Sequence, residues 1–112
     1  MSLAGLYNVP QTPDQLAQWS FINAAAHVDI NRVVFQRFNI ALASYVLDPI
    51  NPTDMQTWLV QHQIMHQQMD AVLGIAGYDL LDVDLNDRGQ FAAWIQDHAS
   101  EHLQVGQLLN LG

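Results

Sequence analysis

The histidines of this chain are spaced as metal ligands often are. His62 and His66 lie four positions apart, as do His98 and His102. On an α-helix this spacing places two imidazoles on one face, one turn apart, which suits zinc, nickel, copper or iron. The two pairs offer four nitrogens and His27 a fifth. We therefore predict a metal site formed by His27, His62, His66, His98 and His102, with zinc or iron as the expected metal.

These histidines belong to a pattern that occurs three times. A tryptophan is followed after four residues by Asn or His, and after eight residues by His. The three copies are Trp19-x3-Asn23-x3-His27, Trp58-x3-His62-x3-His66 and Trp94-x3-His98-x3-His102. Together they contain all three tryptophans and all five histidines of the chain. The repetition predicts three equivalent helices whose tryptophans anchor the core.

Capping signals set the expected ends of these helices. Residues of the N-cap type precede each tryptophan by seven positions: Thr12, Asn51 and Asp87. Two residues that tolerate the left-handed conformation mark helix ends: Asn39 and Gly74. Pro52 suits the first position of the second helix. The predicted helices are 13–37, 52–73 and 88–109, in an all-α three-helix bundle.

Each predicted helix is amphipathic, and the histidines fall on the apolar stripes, whereas glutamines such as Gln63 lie largely off them. Buried imidazoles need partners, because an unmet donor or acceptor costs about 1–3 kcal/mol. Two interpretations follow. The first is a hydrogen-bonded core of His, Trp and Asn23 that fixes the register of the helices, and the second is a metal site.

The connections between the helices are long and apolar. They cover about 38–51 and 74–87, whereas helices in bundles are usually joined by about 2–8 residues. We expect the conventional up-down-up order. Linkers of this length could also return the chain to its starting end, and the repeats would then meet in register in a parallel bundle.

Residues 1–11 precede the first cap and are interpreted as an extended N-terminal arm, while 12–112 form a single helical domain. The apolar anchors of this arm are Leu3, Leu6, Tyr7 and Val9. Such an arm either frays or becomes ordered on a neighbouring subunit.

The net charge of −8 excludes several function classes. Residues 1–47 sum to zero, and residues 48–112 carry nine acids and one arginine. Nucleic-acid phosphates and anionic membranes require clustered Lys and Arg, so neither is an expected partner. An acidic surface could instead mimic phosphate toward a nucleic-acid-binding protein.

The acidic loop 79–87 has two interpretations. Asp82-x-Asp84-x-Asn86 copies the first ligand positions of an EF-hand loop, but Asp87 and Ala93 stand where glycine and glutamate are needed. A solvated acidic loop is therefore favoured over a calcium site.

Neither catalytic nor membrane-targeting patterns occur. The chain has no cysteine, no nucleophile elbow, no phosphate-binding glycine loop and no His-Glu-x-x-His. No apolar stretch approaches the roughly 20 residues that span a bilayer, and no secretory signal precedes the first helix. We therefore expect a protein that is not an enzyme.

Part of the chain resembles small helical proteins encoded by tailed bacteriophages. The similar residues are the run from Trp58 to Gly74, then Asp79-Leu80, Val83-Asp84-Leu85 and the segment from Trp94 to His102. The resemblance covers about 52–112. It implies a structural protein of the virion or its assembly, located in the virion and, during assembly, in the host cytoplasm. Capsid, portal or tail proteins are the implied partners, in an oligomeric or assembly-bound state.

Hemerythrin-like bundles, which hold two irons with histidines and carboxylates, offer a comparison from which this chain departs. It has no His-x3-Glu and lacks obvious bridging carboxylates on the histidine stripes, although Asp70 lies four residues after His66 and Glu101 neighbours His102. No residue roles are carried over from that family.

Overall fold

Three α-helices form the described part of the protein. A computed structural model of the chain describes residues 4–40, 50–75 and 83–111. In chain order the elements are a short 3-10 turn at Ala4–Tyr7, α1 at Pro13–Phe38, α2 at Met55–Leu73 and α3 at Arg88–Leu108. No strand occurs within these ranges. The predicted all-α fold with three helices is confirmed.

Most helix ends follow the capping signals of the sequence. The Thr12 hydroxyl accepts a hydrogen bond from the backbone N–H of Gln15, and the Asp87 carboxylate accepts one from that of Gln90. α1 and α2 end where Asn39 and Gly74 adopt positive φ values of 55° and 70°. The Thr12 and Asp87 side chains thus satisfy N–H groups that the first turn of a helix leaves without partners.

The start of α2 differs from the prediction. Asp54, rather than Asn51, is the N-cap, and its carboxylate accepts from the backbone N–H of Thr57. Asn51 instead accepts from the backbone N–H and the hydroxyl of Thr53, at 3.0 and 2.8 Å. Because its side-chain oxygen is used in this local turn, the helix begins three residues later than predicted.

The three helices run parallel. The indoles of Trp19, Trp58 and Trp94 form one layer, with ring centroids 5.6–6.0 Å apart. Two turns further along each helix, the His27 ring lies 5.0 Å from that of His66 and 4.5 Å from that of His102. Like residues can meet in successive layers only if all three helices point the same way. The expected up-down-up order is therefore wrong, and the parallel alternative is correct.

Apolar clusters lie on both sides of the histidines. The cluster at the N-terminal ends of the helices is built around this tryptophan layer. The cluster at the C-terminal ends consists of Ile30, Val33, Val34, Met69, Val105 and Leu109. The histidines occupy the space between them, so both neighbouring layers keep water away from the imidazoles.

The N-terminal segment packs on its own bundle. Its residues 4–7 are helical rather than extended, and the Leu6 side chain is fully buried in the core. The Trp19 indole N–H donates to the Leu6 carbonyl, and the Gln96 amide donates to the Tyr7 carbonyl. Residues 4–11 are therefore held by α1 and α3, and the predicted extended conformation is wrong for residues 4–7. Leu3 lies outside the described residues.

Both connections bring the chain back to the N-terminal end of the bundle. The backbone N–H of Ile50 donates to the Ser20 hydroxyl on α1, and that of Leu85 donates to the Gln56 side chain on α2. Residues 41–49 and 76–82 lie outside the described part, and so do most of the predicted apolar linkers. Asp82 of the EF-hand-like pattern also lies there. The described helices include none long and apolar enough to cross a membrane.

Candidate metal centre

All five histidines meet at the centre of the bundle. α1 contributes His27, α2 contributes His62 and His66, and α3 contributes His98 and His102, and all five side chains are buried. The tryptophan layer covers one side of this histidine cluster. There the Trp58 indole lies 4.6 Å from the His62 ring, and the Trp94 indole stacks on His98 at 4.7 Å. The parallel order of the helices brings the predicted ligands together.

Four Nε2 atoms form a closed circuit of short contacts. Around the circuit, the Nε2–Nε2 distances are 3.1 Å for His27–His62, 3.3 Å for His62–His98, 3.1 Å for His98–His102 and 3.1 Å for His102–His27. The four imidazoles come from all three helices. Their Nε2 atoms therefore point at one shared space.

Hydrogen bonding alone satisfies this Nε2 circuit poorly. A neutral imidazole nitrogen has either one N–H or one lone pair, directed in the ring plane. Each Nε2 here has two neighbours, so each proton or lone pair would have to be shared between two bent contacts. A cation at the centre would instead accept all four lone pairs at once. The arrangement therefore fits convergence on a bound ion better than it fits a chain of hydrogen bonds.

The dimensions of the Nε2 circuit match metal coordination. If the four Nε2 atoms stand at the corners of a tetrahedron, contacts of this length place them about 1.9–2.0 Å from its centre. This is close to the zinc–nitrogen distance. As sides of a square, the same contacts correspond to bonds of about 2.2–2.3 Å, within about 0.2 Å of ordinary metal–imidazole distances. Either arrangement accommodates a first-row transition metal with little movement of the side chains.

Burial keeps the imidazoles neutral. It lowers the pKa of His27, His62, His98 and His102 well below 6.5, and repulsion from neighbouring imidazoles lowers it further. The pKa of His66 falls to about 3 for the same primary reason. Since only a neutral imidazole has a lone pair to donate, the site is ready for a metal at neutral pH.

Asn23 takes in α1 the position that His62 and His98 take in their helices. Its side-chain nitrogen lies 3.1 Å from Nε2 of His62. In this orientation the amide can donate to the imidazole. Turned by half a rotation, it would present its oxygen to the same space, as a neighbour of a bound cation.

A pair of buried carboxyl groups lies beside His66. Asp70 on α2 is 3% exposed and Glu101 on α3 is 5% exposed. Oε2 of Glu101 lies 3.1 Å from Nδ1 of His66. The two acids that neighbour the histidines in sequence are therefore buried with them, and Gln63, predicted off its stripe, is also buried. A signal was present, because Asp70 follows His66 by one further helical turn.

The two acids of this carboxyl pair hold a proton between them. Burial and the neighbouring Glu101 carboxyl together raise the pKa of Asp70 to about 8. Burial also raises the pKa of Glu101, while the hydrogen bond from Asp70 lowers it. Two neighbouring buried carboxyl groups are rarely both charged. At neutral pH, Asp70 is therefore protonated.

Every predicted ligand thus lies in one cluster. Four of them, His27, His62, His66 and His98, each offer a nitrogen within 4.8 Å of the others. His102 joins through the contacts of its Nε2 with His27 and His98. No protein-family model, curated protein or solved structure matches this chain.

Proposed function

We propose that this protein binds one divalent transition-metal ion, zinc or iron, at the centre of the Nε2 circuit. The observation that carries the proposal is the circuit itself. Each of its four buried nitrogens, which come from three helices, lies 3.1–3.3 Å from the next around a common space. The ligands are His27, His62, His98 and His102.

The histidine cluster and the tryptophan layer contain polar atoms that neither a hydrogen-bonded core nor a metal bound at the Nε2 atoms satisfies. Within the described residues, Nδ1 of His98, Nδ1 of His102 and the Trp94 indole N–H have no hydrogen-bond partner. Each such atom costs about 1–3 kcal/mol. Metal binding to a structural site contributes about 10–16 kcal/mol, which more than offsets these losses. This balance favours the metal site.

A metal in this position would join the three helices. Its ligands come from α1, α2 and α3 at the same level of the bundle, so binding would favour the folded, parallel arrangement over the unfolded chain. The proposed role is therefore that of a metal-binding helical protein in which the ion stabilises the fold.

Metal titration of the purified protein tests the proposal. After chelation and dialysis, the apo-protein is titrated with Zn²⁺, Fe²⁺ or Co²⁺, and bound metal is counted by elemental analysis. We expect one ion per chain and a higher melting temperature. Paramagnetic Co²⁺ should also quench tryptophan fluorescence, because two of the indoles lie within 4.7 Å of histidine rings.

His102→Phe and Gln104→Phe form the matched pair of variants. Both introduce phenylalanine on α3, but Gln104 is exposed and outside the histidine cluster. We expect His102→Phe to weaken metal binding and Gln104→Phe to retain the wild-type affinity. Absence of stoichiometric metal in the wild-type protein, with no shift in melting temperature, would overturn the proposal.

A structural role in a phage particle is a separate proposal. Its support is the resemblance of residues 52–112 to phage proteins. An apolar face is also available to a partner, because Phe21, Val28 and Phe35 recur every seven residues on α1 and are at least half exposed. Mass spectrometry of purified particles tests the proposal, and absence of the chain from them would contradict it.

A further inference from the structure

His66 lies beside the Nε2 circuit. Its ring centroid is 4.4 Å from that of His62, 4.9 Å from that of His98 and 5.0 Å from that of His27. One of its nitrogens lies within 4.8 Å of a ligand nitrogen of each of these three residues. The ring is therefore close enough to reach an ion held by the other four imidazoles.

The carboxyl pair determines which nitrogen of His66 is available. Nδ1 of His66 lies 3.1 Å from the Glu101 carboxylate. A lone pair at Nδ1 would be repelled by the carboxylate oxygens, so the proton of the neutral ring resides on Nδ1 and the lone pair on Nε2. The buried Asp70 carboxyl interacts electrostatically with both Glu101 and His66. A carboxylate behind the imidazole is the usual arrangement that orients a metal-ligating histidine.

We propose that His66 supplies a fifth nitrogen to the metal through Nε2, and that Glu101, braced by Asp70, is the positioning residue that fixes its ring. This inference rests on the proposed function. The Nε2 circuit would then form the base of a square pyramid, with His66 at its apex.

A square arrangement of the Nε2 circuit would suit five ligands. A fifth ligand lengthens the other four bonds, and the square interpretation of the circuit gives the longer bonds, about 2.2–2.3 Å against about 1.9–2.0 Å for the tetrahedron. Structural zinc sites are almost always tetrahedral, whereas tetragonal nitrogen sites suit copper and nickel. The proposed five-nitrogen site therefore favours an iron, cobalt, nickel or copper ion over zinc.

Charge supports a role for Glu101 as well. Five neutral imidazoles bring no negative charge to a buried divalent ion, and an uncompensated buried charge is costly. A carboxyl oxygen of Glu101 lies 3.1 Å from Nδ1 of His66, on the side of the ring away from Nε2. A charge on Glu101 would stabilise the ion and increase the basicity of His66.

Spectroscopy of the Co²⁺-loaded wild-type protein tests the inference without any substitution. X-ray absorption counts the nitrogen ligands, and five-coordinate Co²⁺ absorbs visible light more weakly than tetrahedral Co²⁺. We expect five nitrogens and the weaker absorption. Four nitrogens would overturn the fifth ligand while leaving the proposed function intact, and the absence of bound Co²⁺ would overturn both.

Two variants extend the test to the positioning role. His66→Phe should still bind one Co²⁺, but with four nitrogens and a visible absorption several-fold stronger. Glu101→Gln should weaken Co²⁺ binding by about 10–100-fold, the usual effect of losing a group that orients a ligand. Its spectrum should move toward that of His66→Phe. If Glu101→Gln leaves both the affinity and the spectrum unchanged, Glu101 has no positioning role.

Discussion

A buried imidazole in the histidine cluster can take up a proton only at high cost. The positive charge would lie away from water and close to other imidazoles, and both effects lower the pKa of each histidine. In the unfolded chain the same histidines titrate near about 6.5. The unfolded chain therefore binds more protons than the folded protein below that pH, and protonation favours unfolding.

We predict that the metal-free protein loses stability steeply in mild acid. Each histidine with a lowered pKa can remove up to about 1.4 kcal/mol per pH unit below about 6.5, and five together up to about 7 kcal/mol. A small domain has about 5–15 kcal/mol in total, so it should unfold within a few pH units. Urea unfolding in chelator between pH 5 and 7.5 measures this effect. A flat stability over that range would contradict the neutral, buried cluster.

Asp70 has the opposite dependence on pH. Its pKa is raised to about 8 in the folded protein, whereas an unfolded aspartate ionises near about 3.9. The folded protein therefore holds a proton that the unfolded chain does not, and stability falls as the pH rises between these values. For one group the loss is about 1.4 kcal/mol per unit.

We predict that Asp70→Asn removes this loss of stability with rising pH. Asparagine keeps the size of the side chain and an N–H donor for Glu101, but it does not titrate. In chelator, the stability of the variant relative to wild type should increase from pH 6 to about pH 8 and then become constant. Urea unfolding at each pH measures the difference. A difference that is independent of pH would show that Asp70 is already ionised in the folded protein.

At the level of the helices, the start of α2 gives a local prediction. Asp54→Ala should lower the free energy of unfolding by about 1 kcal/mol, as expected for a lost N-cap. It should also speed hydrogen exchange at the backbone N–H of Thr57, which donates a hydrogen bond to the Asp54 carboxylate. Asn51→Ala should instead affect the N–H of Thr53. If Asn51→Ala, and not Asp54→Ala, speeds hydrogen exchange at the N–H of Thr57, the N-cap is Asn51.

The helix ends show why some boundaries could be predicted and one could not. Thr12, Asn39 and Gly74 each act through groups within four residues, so the sequence contains the whole interaction. Asn51 and Asp54 are both of a residue type that favours the N-cap, and they lie three positions apart. Only the turn that occupies the Asn51 side chain decides between them, and this depends on the path by which the chain enters α2.

The site shows the same division between local and tertiary information. The histidines could be predicted because their spacing alone places them on the apolar stripes. Asp70 and Glu101 are adjacent to those stripes, on α2 and α3 respectively, and their burial depends on how closely the two helices approach. The parallel helix order sets that approach, whereas the expected order was up-down-up.

At the scale of the whole molecule, the order of the repeat contains the direction of the helices. Tryptophan, then Asn or His, then His occurs in the same order in each copy. An up-down-up bundle would place a tryptophan of one helix beside the last histidine of its neighbour and would separate the imidazoles of the cluster. The parallel bundle costs two long connections, which this chain has. The metal site and the helix order therefore depend on each other.

Distance measurements between spin labels test this order directly. The chain has no cysteine, so a pair introduced at exposed positions can be labelled uniquely. Thr57 and Ala93 lie near the starts of α2 and α3, and Leu108 ends α3. In the parallel bundle, labels at 57 and 93 should be clearly closer than labels at 57 and 108, because about 22 Å of helix separates the latter two α3 positions. A 93/108 pair calibrates that length, and a shorter 57/108 distance would establish that α2 and α3 are antiparallel.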